Sequence, residues 1–314
     1  MATIPLALAL IAFLILHVRG AGARETPAAD PARLRRHVEA LTSPPLTPRD
    51  HEHPDGLERA AAYIEAALRE HTAEVWDQRF GAGGKTYRNV IAGFGPASSD
   101  RIVVGAHYDT AGPLPGADDN ASGVAGLIEL ARLFAANAPE RRVELVAFAL
   151  EEPPFFGSTE MGSAVHAASV AAEGGRVRLM ISLEMIGYFT DAPRSQRFPA
   201  PGLGLFYPRT GNFIAVVGKL GQGATVKRVR SSMRAATSLP VESIAAPRVL
   251  PGVDLSDHRN YWDRGWHAVM VTDTANYRNP NYHTANDTPD TLDWRRMAQV
   301  VTGVYAAVRD MARP

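Results

Sequence analysis

The 314-residue chain has no cysteine, which excludes disulfides as a source of stability and thiolates as metal ligands or nucleophiles. It has no surplus of either charge, with 33 Lys plus Arg against 33 Asp plus Glu. No global field therefore draws it to nucleic acid or to anionic membranes, and its partner is expected to be a small molecule or a peptide. G-x-S-x-G, H-E-x-x-H and Walker-type loops are all missing from the sequence, so serine hydrolases built on a nucleophile elbow, single-motif zincins and P-loop enzymes have no footing. There is no internal repeat.

What is present is a chain that is 46% hydrophobic, enough to bury a sizeable core in one α/β domain. Residues 1–18 are almost uninterruptedly apolar and lead through Arg19 and Gly20 to the A-x-A pattern at Ala21–Ala23. Residues 1–23 read as a cleaved signal peptide, or, since no Lys or Arg precedes the run, as an N-terminal anchor over 4–18. Either reading exports the remainder to the periplasm or the extracellular space. No other membrane partner is expected. Residues 24–32, rich in Ala, Pro and charge, read as a disordered lead-in, and 33–314 as a single domain.

A helix is expected from Arg33 to Leu41 and another around Leu57, Ala60, Ile64 and Leu68, followed by paired antiparallel edge strands at Val75–Phe80 and Tyr87–Phe94. Val143–Leu150, Val177–Leu183 and Ala268–Thr272 are apolar on both faces, as strands covered by helices on both sides must be. Strands alternating with helices predict a three-layer α/β/α fold with a mixed, mostly parallel central sheet. In such sheets ligands bind beyond the C-terminal strand ends. Residues 190–210 lack periodicity and read as a rim over that end, and Leu239–Leu255 as loop.

The strand ends carry the chemistry. Ile102–Val104 runs into His107 and Asp109, on one face by the period of two. A Gly- and Pro-rich loop then leads to Asp118, Asp119 and Asn120 at the start of an apolar helix over Val124–Phe134, where acids also serve simply as caps. The next strands end in Glu151–Glu152, Glu184 and Asp273. A single charged strand end is commonly solvated, but four together with a histidine read as a site. Histidine and carboxylates without cysteine suit Zn²⁺ better than Mn²⁺ or Co²⁺, and there are enough acids for two ions sharing one carboxylate. His166, His258 and His267 read as structural.

In order and spacing these residues resemble the co-catalytic di-zinc aminopeptidase family, related to glutamate carboxypeptidases and glutaminyl cyclases, from about Leu57 to the C-terminus. The resemblance implies a zinc exopeptidase fold, two Zn²⁺ ions per chain and a peptide substrate. It implies His107 as a ligand oriented by Asp109, and Asp119, within GADDNASG, as the bridging ligand. It further implies Glu151 as general base, Glu152 and Glu184 as ligands, His283 in NYHTANDTPDTLD as the last ligand, and Tyr282 as oxyanion support. Glu184 departs from the commonest pattern, which has Asp. A cis peptide between Asp119 and Asn120 is also implied. The rival readings are a glutaminyl cyclase-like acyltransferase with one zinc and a catalytically inactive binding domain on the same scaffold.

Overall fold

The computed structural model describes residues 27–313, so the expected signal peptide or anchor lies outside the described residues. Among those described, no helix is long and apolar enough to cross a membrane. The described residues build one eight-stranded sheet, β1 Val75–Ala82, β2 Lys85–Phe94, β3 Asp100–His107, β4 Arg142–Phe148, β5 Arg176–Glu184, β6 Ile214–Lys219, β7 Val241–Ala246 and β8 Ala268–Thr272, in the order β1-β2-β4-β3-β5-β8-β6-β7. Pairs β3/β4, β3/β5, β5/β8 and β6/β7 are parallel. Pairs β1/β2, β2/β4 and β6/β8 are antiparallel.

The period of two sorts the central strands into two cores. Ile102, Val104, Leu145, Ile181 and Val271 face one side, packed under helices α1 (Pro31–Leu41), α2 (Pro54–Arg69), α3 (Gly123–Ala136), α5 (Gly223–Ala236) and α7 (Trp294–Met311). Val103, Val146, Met180 and Met270 face the other, under α4 (Gly162–Ala172) and the short α6 (His258–Trp262). Two covered faces explain why these strands are apolar throughout, and the three-layer α/β/α expectation is the fold found.

Two expectations are corrected. The lead-in is ordered from Pro27 onward: buried Ala29 donates its N–H to Thr302 Oγ1 at 3.0 Å, Asp30 donates to the buried Glu129 at 2.8 Å, and Pro31 opens α1 behind an Asp30 cap. Composition registers only the polar, Pro-rich neighbourhood and not the docking against α3 and α7. The stretch read as loop over Leu239–Leu255 contains β7, a half-buried edge strand whose Val241–Ala246 lacks clean alternation. The five-residue α6 was also not expected, being shorter than two helical turns.

Candidate active site

Two imidazoles and four carboxylates converge where β3, β4 and β5 end. His107, the last residue of β3, is fully buried. Its Nε2 lies 3.2 Å from Asp119 Oδ1, 3.6 Å from Glu184 Oε2 and 4.0 Å from Glu151 Oε2. His283 reaches in from the loop before α7 and places its Nε2 3.0 Å from Asp119 Oδ2 and 3.2 Å from Glu152 Oε1. The structure thus brings together His107, Asp119 and Glu184 as one cluster and Asp119, Glu152 and His283 as another, with a third grouping of His107, Glu151 and Glu152 between them. Asp119 belongs to the first two and turns one oxygen to each.

The backbone around the site is held by other buried polar groups. Residues 117–122 form an irregular turn, and the Asp119–Asn120 peptide is cis as the resemblance implied. Gly116 enters it at φ +58°, where a Cβ would collide with the Asp119 carbonyl at 2.4 Å, so only glycine fits. Asp287 accepts the N–H groups of Asp118 and Asp119 at 2.9 and 3.0 Å. Asn120 joins the turn to β5 by donating to the Leu183 carbonyl and accepting from Met185. Arg49, fully buried, clasps the carbonyls of Leu41, Tyr108, Pro115 and Gly116. Leu150, Met185 and Thr274, each beside an acidic strand end, and His283 itself have positive φ. For a residue with a Cβ that costs roughly 1–2 kcal/mol, a cost that concentrates at functional sites.

Asp109 contacts more than His107. The His107 Nδ1 contacts the Asp109 backbone carbonyl at 3.2 Å, with the carboxylate at 3.4 Å. That carboxylate accepts the N–H groups of Glu151 and Glu152 at 3.1 and 3.0 Å, tying the end of β3 to the turn after β4. Glu184 is steadied by Ser256, whose hydroxyl donates to Oε2 at 2.7 Å. Tyr282 stacks on His283 at 3.8 Å between ring centroids. The acid ending β8 behaves differently: Asp273 lies beside Asp118, behind the cluster, where burial and the Asp118 charge raise its carboxyl well above the usual range. His166, His258 and His267 bond to Tyr261, Val253 and Thr225, consistent with structural roles.

Electrostatically the cluster has too much negative charge. Burial, with Asp119 repelling it, pushes Glu152 up to about 7 against the pull of His283. Burial lifts Glu151 well above the usual range, opposed by His107 and reinforced by Glu184 and Glu152. Burial alone would lower His107, yet Glu184 and Glu151 drive it well up, and His283 rises to about 10 beside Asp119 and Glu152. His107 Nε2, Asp119 Oδ1 and Glu152 Oε1 are buried without a hydrogen-bond partner. Buried polar atoms are rarely left so. Three orphaned ligand-type atoms in a nitrogen and oxygen donor set, surrounded by surplus carboxylate, fit Zn²⁺.

Beside Glu184 and Tyr282 a cavity leaves about 140 Å³ in which the centre of a water-sized sphere can move, walled by Phe213, Val217, Ile244, Leu250, Val253 and Met270. Residues of the 190–210 rim, Gln196 and Phe198 among them, close one side of it.

The model of peptidase family M28 matches residues 89–308. The Escherichia coli K12 protein YfbL is 47% identical over 284 residues, covering 88% of this chain and 87% of its own. A probable leucine aminopeptidase of Trichophyton verrucosum is 27% identical over 237 residues, covering 68% of this chain and 54% of its own. Among solved structures, a zinc aminopeptidase from Bacillus subtilis superposes with a TM-score of 0.72 at 16% identity, over 91% of this chain and 96% of the other. A glutaminyl cyclase from Bacteroides thetaiotaomicron gives 0.69 at 19% identity, over 90% and 99%.

Proposed function

Since the chain belongs to peptidase family M28 and is a zinc-dependent hydrolase, we propose that it is an aminopeptidase working with two zinc ions and releasing an N-terminal residue with a bulky apolar side chain. The observation that carries this is Asp119, whose two oxygens face two imidazoles at 3.2 and 3.0 Å, each pair joined by its own glutamate. One ion would be held by His107, Asp119 and Glu184, the other by Asp119, Glu152 and His283. Fully ionised, Asp119, Glu184, Glu152 and Glu151 would carry four negative charges, the number two Zn²⁺ ions neutralise. Bound zinc supplies Lewis acidity toward the scissile carbonyl and toward water.

Glu151 then serves as general base. It sits among the ligand-type groups without belonging to either triad, and burial raises its carboxyl well above the usual range, which favours taking up a proton. It takes the proton of the attacking water and delivers it to the leaving amine. Tyr282, which lines the cavity beside Glu184, would donate its hydroxyl to the developing oxyanion. The walls of Phe213, Val217, Ile244, Leu250, Val253 and Met270 suit an apolar side chain of the departing residue, with the charged Arg197 and Glu242 also on the lining.

Metal analysis of the purified protein alongside a panel of aminoacyl anilides, free and N-blocked, tests this. Two zinc ions per chain and cleavage of leucyl and phenylalanyl anilides with free amines is the expected result. One zinc and cyclisation of N-terminal glutamine, without anilide cleavage, would replace it with the cyclase reading.

A further inference from the structure

The cavity wall is held by a buried cation that does not face the substrate. Residues 188–213 contain only one short 3₁₀ turn, Leu203–Leu205, and no strand, so isolated bonds must fix their course, the Thr190 N–H to the Gly211 carbonyl at 2.9 Å and the Gln196 N–H to the Arg209 carbonyl at 3.0 Å among them. Arg278, 4% exposed, does so from behind. Its Nε donates to Gln196 Oε1 at 2.9 Å, and Nη1 donates to the Phe213 carbonyl at 2.7 Å and reaches the Tyr188 carbonyl at 3.5 Å. The guanidinium lies over the Phe213 ring at 4.6 Å and the Phe189 ring at 5.7 Å. Gly211 packs against the same side chain, where a Cβ would meet Arg278 Cδ at 2.8 Å.

Gln196, in turn, lines the cavity and donates to Thr274 Oγ1, another lining residue, at 2.8 Å. On its other side Arg278 stands near the buried acids Asp273 and Asp118, which partly offset the burial that lowers it to about 10. Asp118 adjoins the shared Asp119.

A buried guanidinium is costly, and an apolar side chain of similar size often packs as well or better. What an apolar residue cannot do is hold three separate stretches, at Tyr188, Gln196 and Phe213, with one planar fork of donors. We infer that Arg278 is a positioning residue for substrate selection: it sets the wall formed by Gln196, Phe198 and Phe213 at the spacing a bulky apolar side chain needs, and takes no part in the bond cleavage. This rests on the aminopeptidase reading above.

The test compares leucyl and alanyl p-nitroanilides on the zinc-loaded full chain. In Arg278→Met, KM for the leucyl substrate should rise about tenfold or more while KM for the alanyl substrate stays within about twofold, because only the larger side chain needs the wall in place. The kcat and the zinc content should match those of the unmutated chain. Gln196→Leu should lower the same leucyl-to-alanyl preference, and the double variant should lower it no further than Arg278→Met alone, since both changes remove the Arg278–Gln196 bond. Equal losses on both substrates, a joint fall in kcat and zinc, or fully additive variants would overturn the inference. Should Arg278→Met fail to fold, an unchanged preference in Gln196→Leu overturns it by itself. An unmutated, zinc-loaded chain that cleaves neither anilide would instead sink the aminopeptidase reading, a result visible before any variant is made.

Discussion

Asp287 holds Asp119 by its backbone: Oδ2 accepts the Asp119 N–H at 3.0 Å while Oδ1 accepts that of Asp118 at 2.9 Å, across more than 160 positions of sequence. The residue that faces both histidines is therefore aimed by a carboxylate that never touches them. Asp287→Ala would leave two buried amides without an acceptor, at about 1–3 kcal/mol each. Its affinity for zinc, measured by competition with a chromophoric chelator, should drop by roughly 10–100-fold, as for other losses behind a ligand. Asp287→Asn keeps one acceptor oxygen and should lose less. Unchanged zinc affinity in Asp287→Ala would show that the Asp119 turn holds its shape without it.

The adjacent glutamates should fail differently. Glu152 belongs to the cluster with His283 and Asp119, so Glu152→Gln should lower zinc per chain and activity together. Glu151→Gln keeps shape but cannot accept a proton, and turnover should fall by roughly 10²–10⁴ with zinc retained. Metal loss in the Glu151 variant and not in the Glu152 variant would mean the roles are reversed.

Chelation tests the metal without an assay of activity. If zinc neutralises the surplus carboxylates around His107 and His283, removing it should lower Tm, and added zinc should raise Tm with the logarithm of its concentration. Calorimetric titration of the stripped protein should resolve two ions, and Asp119→Asn should weaken both where Glu152→Gln weakens one. A single event of one-to-one stoichiometry contradicts the shared-carboxylate arrangement.

His258 gives a pH dependence of stability. Burial lowers it to about 4, partly countered by its bond to the Val253 carbonyl, and Nδ1 has no partner. Unfolded, it takes a proton near its ordinary 6.5; folded, it resists until about 4. Between those values the unfolded state binds more protons, so stability falls as pH is lowered, by at most about 1.4 kcal/mol per pH unit from this residue. Urea midpoints of His258→Gln should fall less steeply than those of the unmutated chain from pH 6.5 to 4. Parallel slopes would show that the imidazole is protonated in the fold.

How much of this was legible depended on range. The apolar strands announced themselves because burial on both faces demands apolar residues at every position, a local signal, and their acidic ends followed from where each apolar run stops. Val241–Ala246 carried no such signal, since an edge strand is half-buried and its alternation is interrupted. Asp273 was legible as a strand end but not as a partner of Asp118 behind the cluster.

The sequence by itself determined the layered α/β/α architecture and the charged strand ends at His107, Glu151, Glu152 and Glu184, because hydrophobic period and the order of strand ends are both written along the chain; Asp119 and His283 were singled out by the family resemblance of their motifs. Only the tertiary structure decided which oxygen of Asp119 faces which imidazole, that Asp109 spends its carboxylate on the amides of Glu151 and Glu152, and that Asp287, Arg49 and Arg278 hold the turn and the cavity wall. The reason is physical. Each of those three residues satisfies backbone or amide groups brought to it by the fold from distant parts of the chain, and a hydrogen bond between distant residues leaves no period and no spacing in the sequence by which to read it.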